Sequence, residues 1–445
     1  MSHQENAGHS VAEQIKTKHE QAIKIESNAN NDDIQPGKLR TFWHWFTGRF
    51  ADMDGVVFIL YIILLAVGLL MVTTASSYRA TAEGNPTYYY LMRQALFAGV
   101  GFIALILIFL MNSKFWRKKS MQRLIYIAIL GLFILTTFLG RTINGAQGWL
   151  FIGPVSIQPV EFAKPALVIL LAHYLSKSDV QESLLKAKNP IQLMKEYWQP
   201  LLYIAVWLGL ILNFPDVGGV LILTSILALM VLNAGLPTSW LRNTVMAAIG
   251  VYFIVILVFR FVDLSHIDNY QVQRFTAFID PFKDARDAGL QLVYGYYAFA
   301  NGGIFGLGAG NSIQKLGYLP EAHNDFIMAI VGEEFGLWGV LGILFLYFGL
   351  VLYIFYRAQK IKHTYHQLVL LGVGAYFFIQ AFVNLGGVLG LIPLTGVTFP
   401  FMSYGGSSLL VTSIMIGIAL NILRTEKHMS RTSLQQNLQK EKREV

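Results

Sequence analysis

The chain contains no cysteine, which excludes disulfides and thiolate metal sites. Charge is scarce as well. Asp, Glu, Lys and Arg together make up 13% of the 445 residues while hydrophobic residues make up 54%. A soluble domain carries about a quarter charged residues, so this balance points to a polytopic membrane protein. No short apolar core follows a basic start, so residues 1–40 do not read as a cleavable signal peptide. They are polar and mixed in charge, as expected of a disordered extension. No second histidine stands at ligand spacing from His323, so that residue reads as polar loop rather than metal ligand.

What is abundant is apolar sequence in runs. A spanning helix needs roughly 20 apolar residues. About ten candidates occur, near 55–75, 91–111, 122–139, 160–176, 199–213, 217–234, 243–261, 326–356, 367–389 and 406–423. The expected fold is an all-α polytopic membrane protein of about ten transmembrane helices, with a long extracytoplasmic loop between helices 7 and 8. The eighth run is long enough to tilt or leave the bilayer. The domain reading is a cytoplasmic extension at 1–50, a transmembrane domain at 51–424 and a basic cytoplasmic tail, a frayed helix, at 425–445.

Loop charges set the orientation. Lys114, Arg117, Lys118, Lys119 and Arg123 follow the second span, and Lys177, Lys186, Lys188 and Lys195 follow the fourth. Arg242 follows the sixth, and Arg357, Lys360 and Lys362 follow the eighth. Basic residues in alternate loops make those loops cytoplasmic, and both termini with them. The net charge of +8 calls for no nucleic acid, because lysines facing anionic membrane lipids account for it.

Three outward segments stand out: 140–159, 262–325 and 390–405. The second has apolar content from Leu290 to Phe299, so re-entrant or interfacial helices are expected in it. Gly306, Gly308 and Gly310 are followed by Asn311, which breaks the dinucleotide-binding spacing. They read as a turn where chain and ligand approach closely.

The most informative residue is Asp325, in His323-Asn324-Asp325-Phe326, at the mouth of the eighth run. An ionisable group near the hydrocarbon is costly, so function is its default reading. Glu161 and Lys164 share a helix face and form either a structural ion pair or a pair in which Lys164 also meets an anionic group. Arg141 either binds phosphate through its planar fork or snorkels to the headgroups. Asp216 reads as the cap of the next helix. Glu333 is nearly in line with Asp325 on a helix. It and Glu334 are either functional or helix-contact residues.

Taken together these blocks resemble the SEDS family (shape, elongation, division and sporulation), the FtsW/RodA/SpoVE peptidoglycan glycosyltransferases. The resemblance runs from about residue 55 to 424. It is carried by Asn144-Gly145-Ala146 with Trp149, by Gln158 through Lys164, and by Pro215-Asp216-Val217-Gly218. Tyr318 through Phe326 with Gly332-Glu333-Glu334 adds to it, as do Asn384 through Gly390, Pro393, Gly396, Pro400 and Ser403 through Ser408. The chain departs from the family pattern at Asn324, where Thr is usual, near Asn213 and Phe214, where Gln is usual, and near Thr398, where a second Pro is usual. Gly310-Asn311-Ser312 with Gln314-Lys315 is more similar to the division (FtsW) branch than to the elongation (RodA) branch that serves cell shape.

The resemblance implies a substrate, lipid II, polymerised into glycan strands at the outer face of the bacterial cytoplasmic membrane for cell-wall synthesis. It implies a class B penicillin-binding protein, a transpeptidase, and cell-division proteins as partners, and a divalent cation, Mg or Mn. It implies Asp325 as the catalytic carboxylate, acting as general base or holding the cation. The substrate-binding candidates are Arg141, Lys164, Glu161, Glu321, Ser403 and Ser407. A flippase or transporter for the lipid-linked precursor is the alternative, although no internal repeat of the transporter kind is visible.

Overall fold

The computed structural model describes residues 48–143, 146–153, 155–186, 195–261, 270–283 and 289–444. Most of the expected 1–50 extension, together with Asn144, Gly145 and Lys188, lies outside the described residues. The chain divides into two units, Met1–Asp52 and Met53–Val445. The architecture below is that of the second.

A helix occupies each of the ten apolar runs. They are α1 (Gly55–Ala82), α2 (Tyr89–Leu110), α3 (Lys119–Leu139), α4 (Pro159–Leu175), then, after the short α5 (Ser178–Lys186), α6 (Trp198–Asn213), α7 (Val217–Asn233) and α8 (Thr238–Phe261). Two further helices, α9 (Tyr270–Ile279) and α10 (Leu290–Gly302), lie in the long segment before α11 (Ile327–Gln359), α12 (Thr364–Val388) and α13 (Gly406–Glu444). Six of these, α1, α2, α3, α11, α12 and the Gly406–Ser433 part of α13, are long and apolar enough to cross a membrane. α6, α7 and Arg242–Val258 of α8 are shorter apolar helices. The helix starts follow local chemistry. Asp54 caps α1 by accepting from Val57 N at 3.3 Å, and Pro159 needs no hydrogen-bond acceptor at the start of α4.

Four features differ from the sequence reading. First, the 140–159 segment holds a small antiparallel sheet, β1 (Arg141–Ile143), β2 (Ala146–Ile152) and β3 (Val155–Ile157), in the order β1-β2-β3. Leu150 pairs Ile157, and the chain reverses at Gly153, whose φ of +60° suits a hairpin. Second, the eighth run is broken at Gly336 (φ 65°, ψ −165°). Residues 303–308 fill the break. Leu307 N and Gly308 N donate to the carbonyls of Glu333 and Glu334 at 2.9 Å, and Leu337 N donates back to Gly303 O at 3.0 Å. Gly306 allows this backbone approach: a Cβ there would lie 2.3 Å from Glu334 O. Third, α13 runs on past its apolar stretch to Glu444. His366 and Glu426 tie it to α12 at 2.5 Å, and Arg424 donates to Met111 O at 2.9 Å.

Fourth, the 390–405 segment is not a simple outward loop but dips into the bundle. Phe399, Phe401 and Met402 are buried, and Phe401 stacks on Phe377 with centroids 5.5 Å apart. Gly68 of α1 makes room, since a Cβ there would lie 2.0 Å from Phe401 O. Irregular backbone at such depth needs protein partners for its polar groups. Asn384 donates to Val397 O at 2.7 Å, Gln380 to Thr398 O at 3.3 Å, and Gln94 to Ser403 O at 3.0 Å. α12 and α13, which carry or adjoin this segment, are the most enclosed of the long helices.

Candidate functional site

The starts of α4, α7, α11 and α13 gather at the end of the bundle that carries the sheet, and the re-entrant segment joins them. Asp325 stands just before α11, in a turn rather than on the helix, and is 8% exposed. Its backbone carbonyl accepts from Asn384 Nδ2 at 2.8 Å, which fixes the turn to α12. Its Oδ1 has no hydrogen-bond partner. Its Oδ2 lies toward Gly396, and so do both terminal nitrogens of Arg274 from α9. Arg274 is in turn anchored on Leu394 O, to which Nη1 donates at 2.9 Å.

A helix start favours the ionised form of Asp325 and burial opposes it. Burial prevails: it pushes the carboxyl up to about 7, with Glu321 adding repulsion and Arg274 and nearby backbone N–H groups opposing. Asp216 caps α7 as expected, accepting from Gly219 N at 2.7 Å. Burial also raises its pKa, against the pull of Lys164 and Arg274.

Lys164 is 1% exposed. Its Nζ donates to Glu161 Oε1 at 2.5 Å and to Gln380 Oε1 at 3.0 Å. Gln380 reaches on to Thr398, so one polar chain joins α4, α12 and the segment beside Asp325. Lys164 is therefore held within this chain rather than left as a free arm.

The other predicted residues make different contacts. Arg141 is exposed on β1, its guanidinium 5.1 Å from the centre of the Phe151 ring. Ser403 Oγ accepts from Phe399 N at 2.8 Å, closing the re-entrant turn. Ser407 Oγ accepts from Gln158 N at 3.1 Å and donates to Ser156 O at 3.0 Å, tying α13 to the sheet. Both hydroxyls thus hold backbone. Glu321 faces Arg79 of α1 at 3.7 Å. His323 is buried between Tyr90 and Tyr404, with ring centroids 4.9 and 5.6 Å away. Burial lowers its pKa to about 4, so the ring is neutral at pH 7.

Glu333 and Glu334 turn away from Asp325 and hold the 301–318 segment. Glu333 accepts from Asn301 Nδ2 at 3.0 Å, Gln314 N at 3.1 Å and Ser312 Oγ, while Glu334 pairs with Lys315 at 2.7 Å. Arg274 and Gln380 are the residues the sequence reading missed. A lone arginine inside the short helix Tyr270–Ile279 of the longest outward segment was the available signal for the first.

Among the described residues, no group of three or more His, Asp or Glu is placed to hold a metal ion. The cationic Arg274 lies beside Asp325. Among the described residues, Asp325 with Arg274 near it is thus not part of a built side-chain site for the implied divalent cation.

Known proteins resemble this chain over nearly the whole unit. The family model described as cell cycle protein, for FtsW, RodA and SpoVE, matches residues 55–428. A Bacillus subtilis (strain 168) protein named probable peptidoglycan glycosyltransferase FtsW is 38% identical over 366 residues, spanning 81% of this chain and 88% of that one. One of the same name from Haemophilus influenzae is 36% identical over 387 residues, spanning 85% and 92%. A chain from a solved peptidoglycan synthase complex that coordinates polymerization and crosslinking superposes with a TM-score of 0.65 at 29% identity, covering 84% of this chain and 98% of that one. The rod shape determining protein RodA of Thermus thermophilus gives 0.59 at 27%, covering 84% and 97%.

Proposed function

Because this chain belongs to the FtsW/RodA/SpoVE family of cell cycle proteins, we propose that it is a peptidoglycan glycosyltransferase that polymerises lipid II. The site faces the outer side of the bacterial cytoplasmic membrane, and both termini lie inside. The alternating basic loops support that orientation. The relatives named FtsW favour a role in division, among cell-division proteins. Similarity to a chain of a peptidoglycan synthase complex supports a class B penicillin-binding protein as partner.

The observation that carries this reading is Asp325: a buried carboxylate whose Oδ1 has no hydrogen-bond partner and whose pKa is raised to about 7. A general base works best with a pKa near the working pH. The 4-hydroxyl of the acceptor sugar attacks the anomeric carbon of the donor as Asp325 takes its proton. The bond from that carbon to the pyrophosphate oxygen breaks, and undecaprenyl pyrophosphate leaves. Negative charge grows on the leaving group, so cations fixed beforehand in a poorly solvated site stabilise the transition state. Arg274, beside Asp325, supplies one, and buried Lys164 adds its field.

Purified protein with its partner, given lipid II in detergent, tests the assignment. Glycan polymer supports it. Movement of the lipid across sealed vesicles without polymer favours the flippase instead.

A further inference from the structure

We propose that Arg79 is a positioning residue for the reaction: by facing Glu321, it sets the charge of the turn from which Asp325 acts. This rests on the catalytic reading of Asp325 given above.

Glu321 and Asp325 belong to one tight turn. The Glu321 carbonyl accepts from Asn324 N at 2.9 Å and Phe326 N at 3.4 Å, so it spans Asp325. Its carboxylate accepts from Asn324 Nδ2. Its φ of +55° is a conformation that L-residues other than Asn, Asp and Gly rarely adopt, so the surroundings hold it there. Two carboxylates are thereby fixed in the same turn, and each meets one arginine from a different element. Arg274 of α9 faces Asp325, and Arg79 of α1 faces Glu321 at 3.7 Å.

Other charged groups among the described residues stand on both sides of this turn. On the Glu321 side, Arg79 also binds Glu83 at 2.9 Å, Glu83 accepts from Tyr90 OH at 2.8 Å, and His323 lies in the same cluster. On the other side, Arg274 and Lys164 stand near Asp216, with Glu161 behind. Among the described residues, Glu321 is the like charge that acts on Asp325, and Arg79 is a cation that faces it. Glu321 repels the ionised form of Asp325, so whatever weakens Glu321 should favour that form, and whatever frees Glu321 should disfavour it.

The test is the pH profile of kcat/KM for lipid II polymerisation by the protein with its transpeptidase partner. Glu321→Gln should move the acid limb to lower pH, and Arg79→Met should move it to higher pH, each by about half to one unit, or about three- to tenfold in rate below the limb. Adding Glu321→Gln to Arg79→Met should abolish the upward shift, and Arg79→Lys should restore the wild-type limb. A purely structural contact would lower the rate without opposite displacements. An unmoved limb in active Glu321→Gln, or shifts of the same sign in both single variants, would overturn the proposal. Should Arg79→Met not fold, Glu321→Gln alone decides by the direction of its limb. Absence of polymer from the wild-type protein at every pH would remove the catalytic reading itself, and this one with it.

Discussion

Asp325 and Arg274 both approach Gly396: a Cβ built on that glycine would lie 3.9 Å from Asp325 Oδ2 and 3.6 Å from each terminal nitrogen of Arg274. The carboxylate and this cation thus come from different elements and converge at the re-entrant segment. Arg274→Met removes the cation that opposes the upward pKa shift, so the acid limb of activity should move to higher pH, and the rate at pH 7 should fall by about tenfold or more. Gly396→Ala should also lower the rate, because φ at Gly396 is +69° and the added methyl faces both groups. Steady-state polymerisation across pH measures both, and wild-type profiles would count against the pairing.

The burial of Asp325 also predicts a pH dependence of stability. Its folded pKa, about 7, is above the ordinary aspartate value of 3.8. Stability linked to this group is therefore complete below about pH 4 and is lost as pH rises to about 7. Asp325→Asn should remove that loss, up to roughly 4 kcal/mol at the top of the window. Denaturation midpoints in detergent at pH 5 and pH 8 should show the variant gaining on the wild type as pH rises. An equal difference at both pH values would mean that the carboxyl is not buried in this way.

Glu161 and Lys164 should behave as one unit. Removing one leaves the other charged and buried, a loss of about 3–5 kcal/mol for a pair so enclosed. Lys164→Met and Glu161→Gln should each destabilise strongly, and the double variant should be less unstable than the sum of the two. Additive losses in a double-mutant cycle would show that they do not interact.

Orientation can be read without background labelling, because the natural chain has no cysteine. Thr87 and Ser120 are both exposed. In intact spheroplasts Thr87→Cys should react with an impermeant maleimide and Ser120→Cys should not. The reverse pattern would put Asp325 on the cytoplasmic side.

The helices were legible because apolar runs and loop charges are strong signals in a membrane protein. Asp325, Asp216 and the Glu161–Lys164 pair were legible for a related reason: charge amid apolar sequence is expensive enough to be noticed. The break at Gly336 was not, since Phe335-Gly336-Leu337 reads as uninterrupted apolar helix and the groups that fill the gap come from Gly303 to Gly308. The depth of 390–405 was hidden for the same reason: its partners Gln94, Gln380 and Asn384 lie on other helices. The place of Arg141 on a strand beside Phe151 was not legible, because the segment holds no long alternating run. Arg274 looked unremarkable until α9 set it beside Asp325.

The central claim is that Asp325 removes the acceptor's proton, and its most direct test is lipid II polymerisation by Asp325→Asn. The substitution is nearly isosteric, and the backbone carbonyl of residue 325 still accepts from Asn384. Fold and co-purification with the transpeptidase partner should survive, while glycan product falls by about 10²–10⁴-fold. Near-normal polymer from a well-folded Asp325→Asn preparation would contradict the account.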